Sequence, residues 1–598
     1  MSAPGNALRE LRARVRLRTR IRVRLQRRRT SPPITAPDSY QRWVDTFDTL
    51  SPDDLDGMRC VDRALHRRTR FSLLLTVSDE SRASVAAVVG SVLEQVYDDW
   101  ELVCLLGKDS AVDELQLLDV DPRIVVVRNE SRTTRASAFE RALAHAKGEF
   151  CVLLDTATRL RPHALLLLAL VIEETPDAVL AYSDEDLIAS EGRRSGHWFK
   201  PDWNPALLRV QNYIGRVAAF SLARARDALR ERPLPDADVA WGVFLRITDG
   251  VDRASVVHVP HVLAHRQVDD REPREKCAAE VVEAFLEAAG MEGTVEAIGT
   301  VGMRVVYALP RPAPRVRVLV ATALAHEFVE PCLASLLEDT DYEDFRLTVV
   351  VDGDTLSNPR NREVLARLAT ADGRMETLVY PSRPFNYSWV HNFAVAKVNE
   401  DVVAFVNDDV SVVTPRWLEL MVGHLLQPRV GAVGARLLYP DGTVQHGGVL
   451  LGAGGVAGHF HHGLPAPSEG YHGRALLDQD LSCVTGACML LRREAYEDVG
   501  GMDEDFGIAY NDVDLCIRLA RAGWRIVFSA GAELTHREST SLGPPDSVAR
   551  RDRHASERQL MQSRWGEVLM NDPSYSPNLD LGSPGKLAFP PRVEYRWR

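Results

Sequence analysis

Residues 402–410 read VVAFVNDDV, an apolar run that breaks into Asn407, Asp408 and Asp409. A buried strand ending in carboxylates is a place to hold a divalent cation, because Mg²⁺ or Mn²⁺ needs a few oxygen ligands and leaves its other positions to phosphate oxygens. The triplet therefore marks a candidate nucleotide-diphosphate site, against the plain alternative of a turn or helix cap. A second apolar run, 347–351, ends in Asp352 and Gly353. In an open α/β sheet ligands sit just beyond the carboxyl ends of strands, where an acid can accept a hydrogen bond from a base edge or ribose; Asp-Gly is also ordinary turn chemistry. Asn392, in a helix-like run before the acidic strand, is a third polar candidate. Asn511 and Asp512 open a further helix, where the dipole and free amides favour an ionised carboxylate able to take a proton from a hydroxyl. Asp514, one step further in, reads as a cap. His536, past an apolar run at 525–529, can offer a neutral imidazole to a metal. The histidines at 446, 459, 461, 462 and 472 have no cysteines at ligand spacing and no helical HExxH, which argues against zinc.

The elements that must position these groups belong to an α/β chain. At 598 residues, with 45% hydrophobic and 26% charged residues, the chain calls for two or more soluble globular domains. The longest nearly continuous apolar stretch, 164–172, falls far short of the roughly 20 residues of a membrane-spanning helix. No secretory signal is visible. Eight cysteines are scattered with no CxxC pair, as reduced core residues of a cytoplasmic protein would be. The first 30 residues hold 11 Arg and one acid, net +10, which leaves −22 on the rest. That acidic body excludes a general nucleic-acid binder. The arginine-rich start reads as a flexible basic arm, either drawn to anionic lipid at the inner face of the cell membrane or a solvated leader without a role. Beyond it, apolar strands alternate with helical stretches, the mark of a parallel sheet. Strands at 71–77, 100–106 and 149–155 recur some 245 to 252 residues on as 316–322, 347–352 and 402–407. The chain reads as a duplicated α/β unit, its halves joined by the stiff PRPAP at 310–314.

Set in order, these pieces resemble glycosyltransferase family 2, the inverting GT-A-fold sugar transferases, especially bacterial members that build surface polysaccharide. The resemblance covers residues 315–545 and rests on VVVDGD at 349–354, VNDDV at 406–410, VGAVGARLLYPDGTVQHGGVLLG at 430–452, VTGACMLLRREAYEDVGGMDEDF at 484–506, NDVDLCIRLARAGWRIVFS at 511–529 and THRESTS at 535–541. It implies that Asp352, Asn392, Asp408 and Asp409 bind the donor, that Asp409 and His536 hold a divalent cation (Mn or Mg), and that Asp512 is the catalytic base. Asn-Asp-Asp departs from a strict DxD and leaves the share of Asp408 open. The first half is similar to the same family in YSDED at 182–186 and FKPDWNPALL at 199–208, but its chemistry is missing. Leu106-Gly107-Lys108 stands where the base-binding acid belongs, Asp155-Thr156-Ala157 replaces the triplet, and Ala240-Trp241-Gly242 occupies the helix of the base. Only His265 is expected to remain of the set. Asp184, Glu185 and Asp186 then either contact acceptor or form a solvated loop.

The organisation expected is a lead-in at 1–70, a degenerate GT-A-like domain at 71–309, the linker 310–314, a catalytic GT-A domain at 315–545 and an extension at 546–598. The reaction implied is inverting transfer of a sugar from a nucleotide diphosphate-sugar to a hydroxyl of a cell-surface or lipid-linked glycan. The Gly- and His-rich segment 441–482 either covers the donor and excludes water or is a plain surface insertion. A sugar-nucleotide-forming nucleotidyltransferase is disfavoured, since residues 321–330 lack the glycines that cradle a triphosphate. The non-enzymatic rival is a glycan-binding module assisting a partner transferase.

Overall fold

The computed structural model describes residues 37–77, 82–107, 121–129, 134–230, 232–267, 279–538 and 548–598. The basic arm and Lys108 lie outside them, as does Cys277. Two large sheets organise the chain. Across the first, the strands run Ile124–Arg128, Trp100–Leu106, Phe71–Val77, Phe150–Leu154, Ala218–Ser221, Leu180–Ile188, Val256–Gln267 and Thr158–Leu160. Across the second they run Met375–Tyr380, Phe345–Asp352, Val316–Ala321, Val402–Val406, Cys488–Arg492, Val430–Leu438, Arg525–His536 and Val410–Val412. Numbered along the chain within each unit, and leaving out side branches, both orders are 3-2-1-4-7-6-8-5. The duplication read from strand spacing is thus repeated in topology.

Each sheet is mixed, where the alternation of elements predicted a parallel one. Strands 1 to 4 pair in parallel, but strand 7 inserts antiparallel between 4 and 6. Strand 7 follows directly after a loop that returns the chain to the sheet without a crossover helix, which reverses its direction. The central strands are buried from end to end, Val402–Val406 without a break, as a strand covered on both faces requires. The apolar run at 164–172 forms the helix Ala164–Glu174, apolar on nearly all sides and correspondingly buried. Among the described residues no helix is long and apolar enough to cross a membrane. Six of the cysteines are buried thiols, but Cys60 is exposed, so the reading of all eight as core residues fails there.

Segment 441–482 is no surface insertion. It contains the strands Val444–His446 and Val449–Leu451, and it reaches into the other unit. The Tyr471 hydroxyl accepts from Phe199 N at 2.9 Å, and His472 stacks on Trp198 with centroids 4.9 Å apart. Leu477 enters the core of the first unit, and Ala206 enters that of the second. Asp480 fastens the exchange: its carboxylate accepts from Ala206 N at 2.9 Å and pairs with Arg525, while its backbone and the Asn204 amide bond each other reciprocally at 2.8 Å. Much of FKPDWNPALL, 199–208, therefore serves the seam.

The last 27 residues run from the second unit back across the first. Asp572 accepts from Leu451 N at 2.7 Å and from Ser482 and Ser574. Asn578 donates to Asp184 Oδ2 at 3.1 Å, and Trp597 and Arg598 both bond Asp54.

Candidate active site

Strand Val410–Val412 pairs antiparallel with Arg525–His536, so that Val410 lies opposite His536. That register brings Asp409 to the imidazole: His536 Nε2 is 3.1 Å from Asp409 Oδ1 and 3.3 Å from Asn407 Nδ2. His536 is the last residue of a strand that runs seven residues beyond the predicted 525–529. Both side chains are buried, and His536 Nδ1 has no hydrogen-bond partner. Asp408 turns to the other side. It accepts from Thr322 Oγ1 at 2.6 Å and lies 3.3 Å from His326 Nε2, which ties it to the loop after strand Val316–Ala321. A carboxylate oxygen and an imidazole nitrogen converging at one strand end suit a divalent cation that completes its shell from phosphate oxygens. Among the described residues no group of three such side chains gathers, so Asp409 and His536 would hold the ion with the ligand's help.

Asp352 ends strand Phe345–Asp352, partly exposed. Its two oxygens accept from Thr355 N at 2.6 Å and Thr355 Oγ1 at 3.0 Å. The turn alternative is therefore real, and it fixes the carboxylate at the mouth of the sheet without burying it.

Asp512 is the second residue of helix Asn511–Arg521. Gly486 N donates to its Oδ2 at 2.9 Å and Val513 N to its Oδ1 at 2.8 Å. The Gly486 carbonyl in turn accepts from the Tyr387 hydroxyl at 2.9 Å, and a Cβ on Gly486 would lie 3.3 Å from that hydroxyl. Burial, with the Asp512 charge adding to it, pushes the Tyr387 phenol well above its ordinary value, so it stays a neutral donor. The helix start has no side-chain cap, and Tyr510 before it adopts a left-handed backbone at φ 60°. Glu557, from the C-terminal helix Val548–Met570, supports this entry: its carboxylate accepts from the amides of Gly507, Ile508 and Ala509 at 2.9, 3.1 and 2.9 Å. Sequence reasoning missed both Glu557 and His326. A charged helix gives no sign of which acid turns inward, and a lone loop histidine carries no period.

Asp514 does not cap the helix as expected: its buried carboxylate accepts from the side chains of Arg518, Arg564 and Trp565 at 2.7, 3.0 and 2.9 Å and braces the helix against the C-terminal one. Asn392 is engaged by the fold as well. Its amide donates to Met502 O at 2.9 Å and accepts from Met502 N at 2.9 Å and Tyr496 Oη at 2.5 Å. That clamp fixes the loop before Asn511 rather than presenting a free amide to a donor.

The first unit has filled its corresponding site. Asp155 accepts from Thr158 Oγ1 at 2.6 Å, and the Arg216 guanidinium pairs with its other oxygen. Thr158 lies opposite Arg266, as Val410 lies opposite His536. The counterpart of His536 is therefore Arg266, and His265 is displaced by one residue, which in a strand means the opposite face. The expectation that His265 survives from the set is thus corrected. His265 instead bonds Asp186 at 2.6 Å, together with Tyr40 and Arg194. Asp184 accepts from His258 at 2.9 Å and Lys200 N at 2.8 Å, and Glu185 meets Lys200 Nζ at 3.1 Å. These three acids lie within strand Leu180–Ile188 with Asp184 and Asp186 fully buried, so they form no solvated loop. The buried pair is occupied by the protein itself, which corrects the expectation of acceptor contact there. Near the helix of the base, Val239-Ala240 carry no carboxylate; Asp238, just before, caps the helix through Trp241 N and bonds Asn212.

Residues 72–229 match the family described as glycosyl transferase family 2, and residues 313–556 match glycosyltransferase like family 2. An uncharacterized protein of Sinorhizobium fredii is 35% identical over 542 residues, covering 87% of this chain and 58% of its own length. The O-antigen biosynthesis protein RfbC of Myxococcus xanthus is 32% identical over 537 residues, covering 86% of this chain and 41% of its own. The chain thus spans about half the length of these curated relatives. Among solved structures, a mannosyltransferase of Pyrobaculum calidifontis in complex with GDP-Man and Mn²⁺ matches 43% of this chain and 65% of its own at 16% identity, with a TM-score of 0.31. The two family matches fall one on each of the two repeated sheets, and the chain belongs to glycosyltransferase family 2, with two of its domains in tandem.

Proposed function

We propose that the chain transfers a sugar, with inversion, from a nucleotide diphosphate-sugar to a hydroxyl of a cell-surface or lipid-linked glycan, and that the second unit, about 315–545, performs the chemistry. The observation that carries this reading is the contrast between the repeats. One keeps Asp409 against His536 and Asp512 at a helix start, and the other pairs the remaining acid, Asp155, with Arg216. In this reading Asp512 takes the proton of the acceptor hydroxyl as its oxygen attacks the anomeric carbon opposite the leaving diphosphate. Gly486 N, donating to its Oδ2, orients that carboxylate at the helix start. Asp352 meets the base or ribose, and Asp409 with His536 holds a Mn²⁺ or Mg²⁺ ion. When bound, the ion supplies charge neutralisation for the leaving diphosphate. Asp408 orients the loop around Thr322 and His326 beside it. The relationship to an O-antigen biosynthesis protein supports a surface glycan as acceptor.

A thermal-shift panel of UDP, dTDP and GDP, with and without Mn²⁺, tests the reading on the wild type and on Asp409→Ala. The expected result is a metal-dependent rise in Tm with one nucleotide that the substitution abolishes. No rise with any nucleotide would instead favour the glycan-binding module.

A further inference from the structure

Away from that site, a cavity of about 290 Å³ lies on the seam between the units. This is just under the usual range for ligand pockets, about 300–1,000 Å³, so a small ligand suits it. One wall is the hairpin Gly293–Ile298 and Gly302–Tyr307 of the first half, and the other is the second sheet around Ala530, Gly531 and Glu533. Three arginines line it: Arg304, Arg416 and Arg436. Arg416 is matched by Glu419 through two hydrogen bonds. The other two are not fully matched. Arg436 is 3% exposed; it pairs with Glu533 and donates to Ala466 O at 2.5 Å, and its Nε has no partner. Arg304 Nε is likewise buried without a partner. Asp478, whose charge Arg304 helps to stabilise, is already engaged by His424 at 3.2 Å and by Ala530 N at 2.7 Å.

The second sheet is shaped to admit Arg304. A Cβ on Gly531, in the interior of strand Arg525–His536, would lie 2.6 Å from Arg304 Nε and 2.8 Å from its Cζ. Burial, with Arg304 nearby, pulls the Arg436 guanidinium below its ordinary value despite Glu533. Two cations are thus gathered at an apolar wall of Val306, Leu420 and Leu476, where their charges are poorly screened. A guanidinium lining such a cavity offers a planar fork that matches the oxygens of a tetrahedral oxyanion. Glu296 and Glu533 also line the cavity, so a ligand with a single compact anionic group suits it better than a polyanion.

We propose that this seam cavity binds a phosphate-bearing small molecule, its oxyanion held between Arg304 and Arg436 and the rest of it against the apolar wall. Isothermal titration of the full chain with orthophosphate, pyrophosphate and glucose 1-phosphate tests the site, on the wild type, Arg304→Met and Arg304→Lys, with circular-dichroism melts as the folding control. The expected result is saturable binding to the wild type that weakens at least tenfold in Arg304→Met. Arg304→Lys, which keeps the charge and loses the fork, should weaken it as well. Equal affinity for orthophosphate and glucose 1-phosphate would mean that the oxyanion alone is read; tighter glucose 1-phosphate would mean that a sugar body is read too. Absence of saturable binding to any of the three, or an unchanged affinity in folded Arg304→Met, overturns the proposal.

Discussion

Asp408 and Asp409 are neighbours with opposite surroundings. Asp409 meets His536, and Asp408 meets Thr322 and His326. Asp408→Asn keeps an acceptor for Thr322, so it should lower sugar transfer far less than Asp409→Asn; comparing the two variants' kcat at saturating Mn²⁺ checks this. Asp512→Asn should lower kcat by about 10²–10⁴-fold, the usual contribution of a positioned base, with KM for the donor little changed. That carboxylates close these strands was legible from the apolar runs they follow. Their division of labour was not, because it depends on which loop each faces. The substitution of Arg266 for His265 as the counterpart of His536 was hidden for a related reason: a one-residue difference in register reverses the face of a strand, and register is a property of pairing.

The helix Val548–Met570 was legible as a helix, but its task was not. Glu557 gathers three backbone amides of the loop that leads to Asp512. Glu557→Ala should leave those amides unpaired, lower stability by about 3 kcal/mol and reduce kcat although Asp512 is intact. Urea denaturation with hydrogen exchange at residues 507–509 measures the first effect, and sugar-transfer kinetics measure the second. The strand Arg525–His536 was read seven residues short because Ala530, Gly531 and Ala532 dilute its β-forming character. For segment 441–482, the alternative of a plain surface insertion failed. Its glycines signal turns, and nothing in their spacing shows that Tyr471 and Leu477 will pack into another unit.

Across the whole molecule, the repeat was legible because strand spacing survives divergence, and the shared strand order follows from it. The contacts that join the repeats were not, since they depend on single side chains such as Asp480. A cluster inside the first unit is sensitive to pH. Burial lowers the His258 pKa, but the Asp184 and Asp202 carboxylates outweigh it and hold the group at about 9, above its ordinary 6.5. Its contribution is therefore fully present below pH 6.5 and lost as pH rises through 9, amounting to about 3 kcal/mol. Tm measured from pH 6.5 to 9.5 should fall more steeply for the wild type than for His258→Gln; parallel slopes would refute the assignment. Asp184 also accepts from Asn578, so the same cluster anchors the returning tail. That tail bears on how the protein is made. Trp43, Asp54 and Asp184, near the beginning, find their partners in Ala588, Trp597 and Asn578. A ribosome supplies those partners only after the whole second unit has emerged, so the first unit waits, incompletely packed, until residues 578–597 have been made.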